Sequence, residues 1–354
     1  MKKTSSRTIF SNLSVYGMMH AVVDAMCAGV VFSIFKDQLV SAQDFFNLVI
    51  LYNVLAFGLQ ALWGFITDRF DIPRTSAIFG AILVGMAAIS FSYAPIAAVI
   101  LAGLGNAIFH VGAGVICLNL TPKKASAPGV YVAPGALGLF VGTILGKGGN
   151  FVAWPFLAIL TFLIFLTSVI TRPEIDHDQK KEVRINGLEW ILSLVFVSVV
   201  IRSLVGMSII LPWRTDLSMG IALVVAIVLG KGLGGIFADR FGWLKVGVGT
   251  LALSIPLLVF GANNPYVAII GMFLFNMTMP ITLIIISNIF PGRTGFAFGL
   301  TCFALLLGAV PSFFVEFREV LGNQWMILSA IIVSIVSLYI SLKIYYKDKY
   351  LQGL

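Results

Sequence analysis

The sequence predicts an all-α polytopic membrane protein whose twelve transmembrane helices fold as two pseudo-symmetric six-helix bundles. Three observations carry that expectation. Hydrophobic residues make up 59% of the 354 and charged residues only 11%, whereas soluble domains carry roughly a quarter charged residues. Apolar runs of about 20 residues, the length that crosses a hydrocarbon core, recur along the whole chain. Motifs of the first half return in the second at matching places. With only 15 acidic side chains, a globule of this size has too few charges to solvate its surface, so the bilayer is the solvent for most of it.

The runs fall at 10–35, 44–67, 75–92, 94–120, 127–146 and 151–171, then at 188–211, 216–238, 243–261, 265–290, 293–315 and 323–346. The first follows a basic start, Met1-Lys-Lys-Thr-Ser-Ser-Arg7, that looks like the opening of a signal peptide. It carries Asp24 and has no small-residue cleavage site, so it is expected to stay as the first spanning helix. Connections are short and built from helix breakers, as in Ser92-Tyr-Ala-Pro95 and Asn263-Asn-Pro265. The exception is 171–184, the most polar stretch. The predicted organisation is therefore an N-terminal bundle at 1–172, a cytoplasmic linker at 173–187 and a C-terminal bundle at 188–354.

Orientation follows from the 23 Lys and Arg. With the N-terminus inside, the outer loops hold Lys36, Lys147, Arg214 and Arg318, and the spans hold Arg202 and Lys231. The remaining 17 lie in cytoplasmic segments, a positive-inside distribution with both termini in the cytoplasm. The net charge of +8 is accounted for by those loops, and no nucleic-acid partner is expected. Cys27, Cys117 and Cys302 sit in apolar runs without a CxxC, so neither a disulfide framework nor a structural metal is indicated. Short loops and no trafficking signal point to a bacterial inner membrane, with lipid and a small solute as partners and a monomer as the working unit.

The internal repeat is explicit. Gly64-Phe-Ile-Thr-Asp68-Arg69-Phe70 matches Gly235-Ile-Phe-Ala-Asp239-Arg240-Phe241, each closing an even-numbered span at a cytoplasmic loop. Asn106 corresponds to Asn276, Gly129 and Gly138 to Gly299 and Gly308, and Pro122 to Pro291. Parallel six-helix repeats characterise one large transporter fold, and on these residues the chain resembles the major facilitator superfamily over essentially its whole length. The resemblance implies that Asp68, Arg69, Asp239 and Arg240 serve as gating residues. The first copy departs from the usual pattern with Asp71-Ile-Pro73, and the second, with Gly242, is closer to it. Within the superfamily, Gly105-Asn106-Ala-Ile-Phe-His110 and Pro134-Gly-Ala-Leu-Gly138 resemble the fosmidomycin-resistance-like exporters, although Val111 stands where those place a proline and the fourth span has no Arg.

Ionisable residues inside a span are functional hypotheses by default. His20 and Asp24 are four apart on the first run and share a helix face, and Asn106 and His110 do the same on the fourth. Asp24 is the one acid deep in a span. Desolvation favours its neutral form and a nearby cation its charged form, which suits reversible protonation, so Asp24 and His20 are read as the proton-coupling pair. Permanent pairing of Asp24 with Arg202 or a histidine is the plainer alternative. Arg202, His110, Asn106, Asn276 and Thr278 are the candidate substrate contacts, with Arg202 offering a fork for an anion. Met279-Pro280 is expected to bend the tenth run. Lys231 could snorkel to the cytoplasm, and its surrounding Gly230–Gly235 run is read as packing surface rather than a phosphate loop.

The function these residues predict is secondary active transport, proton-coupled efflux of a small organic anion or amphipathic drug by alternating access. An uptake symporter, a divalent-metal transporter on His20, Asp24 and His110, and a non-transporting membrane sensor are the alternatives. No cofactor and no resident metal are expected. The chain has no HExxH and no nucleotide-binding loop, so neither an intramembrane protease nor direct ATP drive is predicted.

Overall fold

The computed structural model describes residues 4–38, 41–173 and 187–347. All regular structure among them is helical. In chain order the helices are α1 (Ser6–Gln38), α2 (Ala42–Asn53), α3 (Gln60–Phe70), α4 (Pro73–Ser90), α5 (Pro95–Leu120), α6 (Ser126–Gly148) and α7 (Ala153–Val169). There follow α8 (Leu188–Ser208), α9 (Leu217–Phe241), α10 (Trp243–Val259), α11 (Pro265–Asn276), α12 (Met279–Ile289), α13 (Thr294–Ala309), α14 (Arg318–Gly322) and α15 (Gln324–Lys347). Ten stretches are long and apolar enough to cross a membrane, and α7 and α10 are shorter apolar helices of 17 residues each. Most of the expected linker at 173–187 lies outside the described residues.

Helix starts follow local chemistry. Proline opens α4, α5 and α11 at Pro73, Pro95 and Pro265, where its missing N–H costs nothing. Ser41, Asp216 and Asn264 accept backbone N–H groups at the starts of α2, α9 and α11. Two apolar runs read from sequence as single helices are interrupted. The run at 44–67 is α2 and α3 joined by a π-helical turn, Val54–Gly58, where buried Gln60 donates to the Ala56 carbonyl at 2.6 Å. The run at 265–290 breaks into α11 and α12 at Met277 and Thr278. Pro280 causes this: it offers no N–H to the carbonyl four residues back, that of Asn276, and its ring crowds that carbonyl.

The chain forms two compact units, and neither is a continuous half of the sequence. The first contains 1–122, 131–176 and 293–303, and the second 123–130, 177–292 and 304–354. In the first, α5 packs on α1, α3 and α4, and α7 on α1 and α4. α5 is the most buried span. In the second, α15 packs on α8 and α10, α9 on α10, α11 and α12, and α12 on α8. Large apolar side chains such as Phe162, Phe165 and Leu253 stay exposed on the helix surfaces, where hydrocarbon rather than water is the favourable neighbour.

Candidate functional site

In the first unit, α1 and α5 bring His20, Asp24, Asn106 and His110 into one buried cluster. The two imidazoles meet edge to face, centroids 4.5 Å apart, with His20 Nε2 2.9 Å from His110 Nε2. Asp24 lies against both: Oδ2 is 3.2 Å from His20 Nε2 and Oδ1 is 3.4 Å from His110 Nε2. Asn106 Nδ2 donates to Asp24 Oδ1 at 3.2 Å and reaches Cys27 Sγ at 3.8 Å. Its own amide oxygen is buried with no donor from the protein. The outer nitrogens are also engaged: His20 Nδ1 is 3.0 Å from the Tyr131 carbonyl and His110 Nδ1 is 2.8 Å from the Asn106 carbonyl. A carbonyl only accepts, so both Nδ1 atoms carry hydrogen and both Nε2 atoms turn inward.

Two further residues complete this cluster, of which Tyr131 was not singled out from sequence and Gly135 was quoted only within the Pro134–Gly138 resemblance. Tyr131 supplies the carbonyl that orients His20, and a backbone acceptor leaves no trace in residue type. Gly135 of α6 lies directly over the cluster, and a Cβ there would fall 2.2 Å from His20 Nε2. Three other glycines of α6 are packing surface: a Cβ on Gly138, Gly142 or Gly146 would strike a backbone carbonyl of α1 within 3 Å.

In the second unit, Arg202 of α8 is 7% exposed and donates from Nη1 to Thr278 Oγ1. The Thr278 hydroxyl donates onward to the Phe275 carbonyl at 3.1 Å, and Asn276 Nδ2 donates to the Met272 carbonyl at 2.8 Å. Arg202, Thr278 and Asn276 therefore gather around the α11–α12 break. Asp24 has its ion pairs with the two histidines, the second of the two pairings the sequence left open.

The repeated Gly-x-x-x-Asp-Arg segments carry matching contacts. Asp68 accepts from the N–H groups of Gly295 and Phe296 at 2.9 and 2.8 Å, at the start of α13. Asp239 accepts from Ala125 and Ser126, both at 2.9 Å, at the start of α6. A carboxylate at a helix N-terminus meets both orphan donors and the positive end of the dipole. The glycine of each motif makes the approach feasible, since a Cβ on Gly64 or Gly235 would sit 2.1 or 2.2 Å from the Gly295 or Ala125 carbonyl oxygen. Arg69 and Arg240 are exposed, the latter over the Phe241 ring at 5.4 Å. In each motif the aspartate, rather than the arginine, makes the helix-capping contact. At the departure both copies have a positive φ but differ in ψ: Asp71 has φ 49° and ψ 50°, a left-handed helical turn, and its counterpart Gly242 φ 98° and ψ 135°.

Membrane-length apolar helices that bury ionisable side chains mark a multi-pass membrane protein. The Major Facilitator Superfamily profile matches residues 13–313, and the chain belongs to that superfamily. Among curated proteins no match is found. Solved structures share the fold at low identity. The E. coli fucose:proton symporter FucP matches with a TM-score of 0.66 at 10% identity, over 95% of this chain and 97% of that one. A double-tryptophan variant of XylE gives 0.69 at 15% identity, over 96% of each chain. The human organic anion transporter MFSD10 gives 0.66 at 14%, over 95% of this chain and 98% of that one.

Proposed function

We propose that this transporter is proton-coupled and exports a small organic anion or amphipathic drug by alternating access, with His20, Asp24 and His110 holding the coupling proton. The carrying observation is the convergence of His20 Nε2, His110 Nε2 and the Asp24 carboxylate. With both Nδ1 hydrogens committed to carbonyls, two neutral imidazoles would set lone pair against lone pair at 2.9 Å. One added proton converts that contact into a hydrogen bond. It also balances the carboxylate, leaving the buried cluster neutral overall, which a low-dielectric site strongly favours. Tyr131, Cys27, Tyr52 and Cys302 are further titratable side chains near the cluster, whereas the two imidazole Nε2 atoms approach each other and the Asp24 carboxylate.

Export is supported by the likeness of 105–110 and 134–138 to the fosmidomycin-resistance-like exporters. Asn106, with its unmet amide oxygen, is the first-unit residue best placed to contact a solute. The Asp68 and Asp239 contacts at the starts of α13 and α6 are proposed as the gate, made and released during the cycle, with Arg69 and Arg240 beside them.

The test is proton movement in proteoliposomes carrying a pH dye, challenged with organic anions, phosphonates and cationic drugs. A solute-triggered pH change in the wild type, lost in Asp24→Asn and in His110→Ala while both variants insert normally, is the expected result. Proton movement undiminished in Asp24→Asn sinks the reading. Repeating the assay with a chelator separates the proton from a divalent cation, the rival occupant for three residues whose ligand atoms lie within 4.8 Å of one another.

A further inference from the structure

We propose that Arg202 and the N-terminus of α12 form an oxyanion-binding site, and that the transported solute carries the carboxylate, phosphonate or phosphate group that fills it. The inference rests on the transport reading above and names its substrate class, and it stands apart from the proton assignment.

Arg202 is 93% buried, being 7% exposed, and its protein partner is one threonine hydroxyl. Its Nε is buried without an acceptor, and none of the ion pairs among the described residues includes it. A guanidinium carries five N–H donors. Left unpaired in a low-dielectric interior it is among the least favourable arrangements a fold can hold, so it calls for an anion.

The surroundings add to the positive charge instead of cancelling it. At the α11–α12 break three of the last five carbonyls of α11 are satisfied: Met272 by the Asn276 amide at 2.8 Å, Leu274 by the Met277 N–H at 3.2 Å and Phe275 by the Thr278 hydroxyl at 3.1 Å. The negative end of α11 is thereby partly muted, the Asn276 carbonyl opposite Pro280 being an exception. Thr278 occupies the N-cap position of α12, yet its side chain makes no cap bond to that helix, because its oxygen is engaged with Phe275 and Arg202. The positive end of α12 stays uncapped by that residue and adjoins the guanidinium. Helix N-termini are ready anion seats, and broken helices in membrane carriers aim that end at anionic groups. Gly230 and Gly234 of α9 hold the break in place, since a Cβ on either would lie 2.4 Å from the Phe273 or Met277 carbonyl oxygen. Asn276 and Thr278, read from sequence as substrate contacts, are thus positioning residues, and Arg202 is the contact.

The experiment measures binding to the full-length protein in detergent, by calorimetry and by thermal shift, with inorganic phosphate, methylphosphonate and benzoate as probes and tetraphenylphosphonium as the cationic control. At least one anion is expected to bind, with affinity falling about ten- to a hundred-fold in Arg202→Met, the scale of a lost hydrogen bond to a charged group. Thr278→Val weakens binding in the same direction. Ligand-free Arg202→Met melts no lower than wild type, because the charge it removes had no protein counter-ion. Gly17→Ala, whose Cβ would meet only Pro134 Cγ at 3.5 Å, binds the anions as wild type does, and because binding is read without a proton gradient a failed proton assignment would leave this result standing. Anion binding that persists in Arg202→Met, a clearly lower melting temperature for that ligand-free variant, or silence with every anion overturns the proposal.

Discussion

A methyl group at position 135 would lie 2.2 Å from His20 Nε2 and 2.7 Å from Asp24 Oδ2, and neither atom can retreat without leaving its partners. Gly135→Ala is therefore expected to reduce solute-driven proton movement at least about ten-fold, the cost of a misplaced reacting group. Gly17→Ala, whose Cβ would meet only Pro134 Cγ at 3.5 Å, should transport normally in the same liposome assay. Equal activity of the two variants would contradict the role given to the cluster. At this scale the sequence was informative where side chains do the work. The spacing of four placed His20 with Asp24 and Asn106 with His110 on shared helix faces, and the meeting of the two pairs comes from the packing of α1 on α5. The acceptors that orient the imidazoles are main-chain carbonyls of Tyr131 and Asn106, which residue types do not advertise. Arg202 was visible as an intramembrane cation, but its lack of a counter-ion among the described residues is a property of packing.

Helix ends invite the next tests. Asp68→Asn and Asp239→Asn each keep shape while removing the charge and turning an amide NH2 toward one of the two N–H groups the carboxylate accepts from, and each should lower stability by about 1 kcal/mol. The two losses should add, because the contacts lie in different units and share no partner. Thermal melts of the single and double variants in detergent decide this, and a double variant no worse than either single one would refute it. Asp216, at the start of α9, is held below the usual carboxylate range by the Ser218 hydroxyl and then by the Met219 N–H. Its cap is therefore intact above the unfolded carboxylate's range and fades as pH falls through the lower, folded one. The melting temperature of Asp216→Asn should accordingly lie below that of wild type at neutral pH and converge with it in acid. Among the elements, the α11–α12 break was legible because Met279-Pro280 writes it in the sequence. The π-helical turn at Val54–Gly58 was not: no proline marks it, and an extra residue in a helical turn leaves the apolar run unbroken.

For the whole molecule, the distribution of Lys and Arg predicts which ends of the helices face the cytoplasm. Cys27, Cys117 and Cys302 are buried, so a cysteine introduced at the surface can be labelled over a low background. A membrane-impermeant maleimide applied to intact cells should label cysteines placed at Lys36, Lys147 or Arg214 and spare those at Lys123, Lys245 or Arg293 until the membrane is opened. The reverse pattern would invert the topology. Fold and repeat were readable because both rest on apolar run length and recurring short motifs, which composition displays directly. The transported solute was less so, since it depends on which donors and acceptors remain unspent once the helices have packed.

The paired positive-φ positions bear on the internal repeat. Asp71 and Gly242 share a positive φ, and so do Lys123 and Gly292 at φ 67° and 71°, the second pair at equivalent places beyond Pro122 and Pro291. Only one member of each pair is the glycine that such a turn favours. A positive φ recurs at both places although the residue type does not. Deeper in the helices the two copies also differ in charge: one carries two histidines and an aspartate, the other an arginine at a broken helix. Each half therefore repeats the scaffold of the other without repeating its polar side chains.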